Sequence, residues 1–158
     1  MPLSVGDQAP EFTLPDQQGK YKSLRELLKN GPLVLFFYPK DDSPGCTRQA
    51  CSFRDNYEML VSRGISVAGI SKDSEQDHRS FIEKHQLPYP LLVDKNGRIH
   101  NEYRCQTLFG MLTRRITYLI DTNSTILLAH EDNFRMGSHV DAVLKLLASK
   151  AEKQQVSG

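Results

Sequence analysis

The sequence has almost no excess charge of either sign, few cysteines and no long apolar run, and each shortage removes a class of reading. Lysine and arginine number 20 against 19 aspartates and glutamates, a formal charge of +1. That balance leaves no electrostatic footprint for nucleic acid or for an anionic membrane surface. The longest apolar run, residues 33–38, is six residues long, whereas a bilayer span needs about 20. A soluble protein with no nucleic-acid or membrane partner is expected. Three cysteines cannot form a complete set of internal disulfides, and a chain of 158 residues buries a core without them. The first residues carry neither the basic stretch nor the apolar run of a secretory signal, so the cysteines read as thiols in a reducing, cytoplasmic setting. Internal repeats, a Gly-rich phosphate loop and a His-Glu-x-x-His spacing are all missing. No nucleotide, metal or other cofactor is expected, and the histidines at 78, 85, 100, 130 and 139 read as solvated or capping residues.

The pattern predicts a single domain over residues 1–149 and a polar, frayed tail over 150–158. A short strand at 12–14, a turn at 16–19 and a return at Tyr21 give an N-terminal β-hairpin. Ser23 caps a short helix that closes at Asn30 and Gly31. Residues 33–38 read as a central strand buried on both faces. Apolar positions 46, 50, 53, 57, 60 and 61 give one long amphipathic helix over 46–63, stopped by Gly64. Further strands are predicted at 65–70, 91–93, 116–120 and 125–129, with helices over 74–85 and from about Ser138. The order ββαβαβαβββα implies an α/β, thioredoxin-like domain with a mixed central sheet flanked by helices.

Chemistry concentrates in the link from the buried strand into the long helix, Pro39-Lys-Asp-Asp-Ser43-Pro-Gly-Cys46. In an open α/β sheet, the loop after a central strand delivers residues to the ligand-binding crevice. Pro44 and Gly45 fit poorly in a helix interior, so Cys46 falls in the first turn. There, unpaired N–H groups and the helix dipole favour a thiolate nucleophile. Arg48 and Arg115 are further candidate sources of positive charge. At 100° per residue, Cys46 shares an inward face with Ala50, Phe53, Tyr57 and Leu60, while Cys51 lies about 140° round the helix. Their Cα atoms stand roughly 8.6 Å apart on an intact helix, and a disulfide needs less than about 7 Å. Either the two thiols stay unbonded, or the first turns unwind to join them, and a redox cycle with local unfolding is predicted. Asp41 and Asp42 read as an exposed loop.

These residues resemble the active site of the peroxiredoxins, specifically the peroxiredoxin Q or bacterioferritin comigratory protein group. The family pattern of Pro, three residues, Thr or Ser, two residues and the peroxidatic Cys is matched by Pro39, Ser43 and Cys46, with Ser for the commoner Thr. A resolving Cys often stands five residues on, as Cys51 does, followed by Phe53-Arg54-Asp55. Arg115, in Arg-Ile-Thr-Tyr-Leu-Ile-Asp, matches the family's catalytic Arg better than its neighbour Arg114. The likeness runs over residues 3–149.

The resemblance implies a thiol-dependent peroxidase acting on hydrogen peroxide and small organic hydroperoxides. In it, Cys46 becomes a sulfenic acid, Arg115 donates to thiolate and peroxide, Ser43 positions the peroxide and Pro39 shields the pocket. Cys51 resolves the sulfenic acid as an intramolecular disulfide, and thioredoxin or a similar dithiol protein recycles it. A monomer suffices. The alternatives are a non-catalytic redox sensor using the same pair and a dithiol oxidoreductase, whose Cys-x-x-Cys spacing is absent. Cys105 reads as a bystander thiol, the alternatives being a resolver of Cys46 or a link between chains, and residues 108–111 as a mobile loop over the pocket.

Overall fold

A computed structural model describes residues 1–107, 110 and 112–157. Near the N-terminus, β1 (Thr13–Pro15) and β2 (Tyr21–Ser23) pair antiparallel as the expected hairpin. The Asp16 carboxylate folds the turn between them by accepting from the N–H groups of Gln18 and Lys20 at 2.8 and 3.0 Å. α1 (Leu24–Leu27) follows at once, capped by Ser23, whose Oγ accepts from the Glu26 N–H.

β3 (Leu33–Phe37) is buried along its whole length, and its alternating side chains divide the core in two. Leu33, Leu35 and Phe37 pack with Ile70, Tyr118 and Ile120 on one face. Val34 and Phe36, continued by Tyr38, pack with Phe53, Leu60 and Phe81 on the other. After β3 come α2 (Pro44–Asp55), α3 (Tyr57–Ser62), β4 (Ser66–Ser71), α4 (Glu75–His85) and β5 (Leu91–Val93). The chain continues through α5 (Arg98–Glu102), the two-residue strands β6 (Gln106–Thr107) and β7 (Leu112–Thr113), then β8 (Ile116–Ile120), β9 (Ile126–Glu131) and α6 (Ser138–Ser157).

The central sheet has the order β5-β4-β3-β8-β9. β3, β4 and β5 run parallel, while β8 and β9 run antiparallel to their neighbours, the mixed sheet expected. α2, α3, α4 and α6 cover the Phe36 face, and α1 with α5 the Phe37 face. Register brings five connections to one end of this sheet. Phe37 stands beside Ile70, Phe36 opposite Thr117 and Ile116 opposite Glu131, so the exits of β3, β4, β5 and β9 and the entry of β8 lie together.

Three features of the fold differ from expectation. The single helix over 46–63 is two helices, because the Asn56 side chain donates to the Ser52 carbonyl at 2.8 Å and the backbone leaves helical geometry there, at φ −109° and ψ 9°. Competition of this kind from Asn side chains is a known source of helix ends. α5 and the β6–β7 pair were not anticipated. α5 starts behind Gly97, in the left-handed region, with the Asp94 carboxylate accepting from the His100 N–H at 2.8 Å. The polar tail continues α6 to Ser157, since an existing helix propagates readily through good formers such as Ala151, Glu152 and Lys153. Of the loop expected at 108–111, residues 108, 109 and 111 lie outside the described residues.

Gly31 and Gly64 lead into the parallel strands β3 and β4, and a Cβ on Gly31 would stand 2.0 Å from the Gly64 carbonyl oxygen. Gly31 also has a φ of +148°. Gly31→Ala is therefore expected to destabilise the fold by about 2–4 kcal/mol, read as a lower urea midpoint at an unchanged m-value. An unchanged midpoint would contradict this packing.

Candidate active site

Cys46 is the third residue of α2, after Pro44 and Gly45, and is buried on the Phe36 face of the sheet with Ala50 and Phe53, the face its helical position predicts. The Ser43 side chain leaves the start of α2 uncapped, its hydroxyl donating instead to the Lys40 carbonyl at 2.9 Å. The first N–H groups of this helix therefore point at the Cys46 region without a side-chain acceptor from the N-cap.

Arg115, just before β8, crosses to this point. Its Nη1 donates to Cys46 Sγ at 2.9 Å and, at 3.4 Å, to the Gln49 carbonyl oxygen Oε1. The Arg115 backbone is clamped by the loop between β9 and α6. Its N–H donates to Asn133 Oδ1 at 2.9 Å, and its carbonyl accepts from the Asp132 N–H at 3.2 Å. Asp132 shapes that loop by accepting from the N–H groups of Arg135 and Phe134 and from the Ser138 hydroxyl, bonds that hold its carboxyl well below the usual range. Nearby His139, whose pKa falls to about 4 mainly through burial, stays neutral at physiological pH and adds no charge to compete with the guanidinium.

The structure thus brings Cys46 and Arg115 together. Arg114 turns away toward Glu131, at 3.8 Å, and Arg48 is exposed, its Nε donating to the Pro44 carbonyl at 3.4 Å. Pro39 is exposed at the head of the loop. Ser43 is half-buried on the same loop and, among the described residues, makes no direct hydrogen bond to Cys46 or Arg115.

Cys51 lies on the same unbroken helix as Cys46, and all three cysteines are free. It is half-buried, not fully outward, near Arg54, Asp55 and Tyr89. Burial raises its pKa, partly offset by the Arg54 charge and reinforced by Asp55. Cys105 is fully buried on the opposite, Phe37 face of the sheet. Its thiol donates to the Tyr103 carbonyl at 3.4 Å, and burial pushes its pKa well up, so it is separated from Cys46 by the sheet itself and fits the bystander reading.

Two residues at the site escaped the sequence reading. Gln49 is fully buried and sits one turn after Cys46, a position that i, i+3 spacing could have marked. Asn133 left no such signal, because its role depends on tertiary placement of the loop. The paired aspartates also differ from expectation. Asp42 is exposed, but Asp41 is buried, with 8% exposure, and His78, His100 and His139 are fully buried, since each of these imidazoles finds a polar partner inside the fold.

Comparison with known proteins follows the same lines. The model of the AhpC/TSA family matches residues 5–129. The chain is 45% identical over 148 residues to the chloroplastic peroxiredoxin Q of Gentiana triflora, covering 93% of this chain and 68% of that protein. It is 43% identical to the chloroplastic peroxiredoxin Q of Sedum lineare, covering 93% and 79%. Among solved structures, peroxidoxin BcpB of Mycobacterium tuberculosis superposes with a TM-score of 0.88 at 37% identity, covering 93% of this chain and 97% of that one. A PrxQ mutant of Xylella fastidiosa gives 0.84 at 26% identity, covering 94% and 98%.

The guanidinium also passes close to Gly45, where a Cβ would lie 2.9 Å from Arg115 Nη2. Gly45→Ala is expected to displace Arg115 and slow oxidation of Cys46 by hydrogen peroxide about tenfold, measured by stopped flow, with little change in the urea midpoint. Unaltered oxidation kinetics would mean that the Arg115 contact is dispensable.

Proposed function

The chain belongs to the AhpC/TSA family and, within it, to the peroxiredoxin Q proteins, which are thiol peroxidases; from that premise we propose that Cys46 is its peroxidatic nucleophile and Cys51 its resolving thiol. The observation that carries the reading is the 2.9 Å hydrogen bond from Arg115 Nη1 to Cys46 Sγ at a helix start. A thiolate accepts such a bond more strongly than a thiol, and the same donor lies where charge develops on a peroxide.

In the first step the Cys46 sulfur attacks one peroxide oxygen. A sulfur–oxygen bond forms, the oxygen–oxygen bond breaks, sulfur is oxidised to the sulfenic acid, and the second oxygen leaves as water or an alcohol after taking a proton. Arg115 stabilises the departing negative charge. In this reading the Ser43 hydroxyl, which donates to the Lys40 carbonyl in the structure, positions the peroxide, and Pro39 shields the pocket. In the second step Cys51 attacks the sulfenic sulfur and water leaves, giving the Cys46–Cys51 disulfide. On intact α2 the two sulfurs do not reach each other, so resolution runs through unwinding of its first turns, which also relieves the burial that raises the Cys51 pKa.

Thioredoxin or a similar dithiol protein then reduces the disulfide by thiol exchange. Both sulfurs are on one chain, so a monomer is the working form we propose, in the reducing cytoplasm. Hydrogen peroxide and small organic hydroperoxides, uncharged and compact, suit a site built around the Cys46 sulfur and the Arg115 guanidinium.

After one equivalent of hydrogen peroxide, peptide mapping is expected to find the Cys46–Cys51 link. A Cys46–Cys105 or intermolecular link would overturn the assignment of Cys51. Cys51→Ser should reduce one equivalent and stall, whereas the parent turns over repeatedly with a thioredoxin system; a sensor would be oxidised once in either form. Replacing Arg115 by Met is expected to lower kcat/KM at least about 100-fold, with Ser43→Ala losing less.

A further inference from the structure

The loop that delivers Cys46 is tied to the scaffold by a buried polar network that the proposed chemistry does not use. Tyr38, at the end of β3, donates its hydroxyl to Asp41 Oδ1 at 2.6 Å. The other carboxylate oxygen of Asp41 meets His78 Nδ1, on α4, at 2.6 Å, and His78 Nε2 meets the Leu92 carbonyl of β5 at 2.9 Å. The Asp41 N–H donates to Asp73 Oδ2 at 2.8 Å, an oxygen that also accepts from the Ser71 hydroxyl at 2.6 Å. One residue on, Asp42 takes a left-handed φ of +60° and meets Lys84 Nζ and His85 Nε2, further along α4, at 2.8 and 3.1 Å. Two consecutive residues of the link between β3 and α2 are thus anchored to α4.

Proton counting shows how tight the inner anchor is. A carbonyl only accepts, so His78 Nε2 carries a hydrogen. A carboxylate oxygen and a bare Nδ1 would repel, so a second proton lies between Nδ1 and Oδ2, on one or the other. The buried pair is neutral as a whole and fully bonded. Asp41, Asp73 and His78 offer ligand atoms within 4.8 Å of one another, but a 2.6 Å separation holds a proton and leaves no space for a cation between the two atoms, and the Asp73 oxygen is already taken by two donors.

We propose that Asp41 and His78 are positioning residues, a latch that holds the Cys46 loop in its peroxide-reactive form against the unwinding that Cys51 needs. The inference rests on the assignment of Cys46 and Cys51 above. Peroxide attack needs the loop and the first turn of α2 folded beside Arg115. Disulfide formation needs that turn opened. A latch fixing residue 41 just ahead of α2 favours the first state, so weakening it moves the two steps in opposite directions. It also sets how long the sulfenic acid survives to meet a second peroxide, which would convert it to the sulfinic acid with release of water.

The test separates the steps. Sulfenic acid formation is followed by stopped flow in a Cys51→Ser background, and disulfide formation after a peroxide pulse in the two-cysteine protein. Asp41→Ala removes the latch. His78→Gln retains a donor for the Leu92 carbonyl and drops the Asp41 contact. Both are expected to slow sulfenic acid formation about tenfold and to speed disulfide formation several-fold, with less over-oxidation at excess peroxide. Asp41→Asn, whose amide can donate to Nδ1 while its oxygen accepts from Tyr38, is expected to bring both rates back toward the parent, to within about threefold.

Loss of both steps together, no change in either, or an Asn variant as impaired as the Ala variant would each overturn the latch. So would failure of both Asp41→Ala and His78→Gln to fold, which would make the pair structural. A parent that forms no Cys46–Cys51 disulfide would instead overturn the resolving role of Cys51, and the sulfenic acid arm, which does not use Cys51, would still report on the latch.

Discussion

Everything at this site depends on a guanidinium reaching a buried sulfur from the far side of a strand boundary. Cys46 follows β3 and Arg115 precedes β8, 69 residues apart in sequence, and they meet because β3 and β8 are antiparallel neighbours. Antiparallel pairing places the exit of one strand beside the entry of the other. The next strand, β9, is antiparallel again, so its exit returns to the same end and supplies the 132–137 loop that clamps the Arg115 backbone. A sheet running parallel throughout would bring the Arg115 segment to the opposite end.

That arrangement also decides how the charge is housed. The guanidinium is shared between the Cys46 sulfur and the Gln49 carbonyl oxygen, both on one turn of α2, so the helix that carries Cys46 also orients its donor. His139, close by, is kept neutral because burial costs its charged form more than the Asp132 carbonyl returns. A second cation there would repel the guanidinium in a medium that screens poorly. Cys105 illustrates the opposite case: a thiol buried on the other face of the sheet, with a neutral carbonyl as partner, is held in its neutral form because burial outweighs the Arg114 charge, and it packs as a small core side chain.

The features legible in the sequence were those fixed by local periodicity or by a short motif. The 33–38 run, the Ser23 cap and the Pro-Gly entry to Cys46 all follow from neighbours a few residues apart, and the structure has them. The resemblance identified Arg115, which periodicity alone left as one cation among several. What was not legible depends on groups distant in sequence. Asp41 and Asp42 look alike as adjacent acids, and only the approach of α4 buries one and leaves the other outside. The break at Asn56 was in principle readable, but an unbroken apolar stripe from 46 to 61 concealed it. The tail erred the other way, since a polar stretch without an apolar face still continues a helix already nucleated.

The start of α2 is built weakly, and the weakness has a reason in the site. Its N-cap side chain is turned away, where a capping bond is typically worth about 1 kcal/mol, and its second residue is Gly45, which costs a helix interior up to about 1 kcal/mol against Ala. On the proposed assignment of Cys51, stronger residues at these points would hinder the unwinding that joins it to Cys46. Gly45 also matters in the folded state, because a Cβ there would make the Arg115 guanidinium shift. In the proposed cycle one glycine therefore admits the donor of the peroxide step and lowers the resistance of the turn that the resolving step opens. With α2 so lightly held, the bonds that keep Cys46 in place come mostly from outside the helix: from Arg115 on one side, and on the other from the Asp41 and Asp42 contacts to α4.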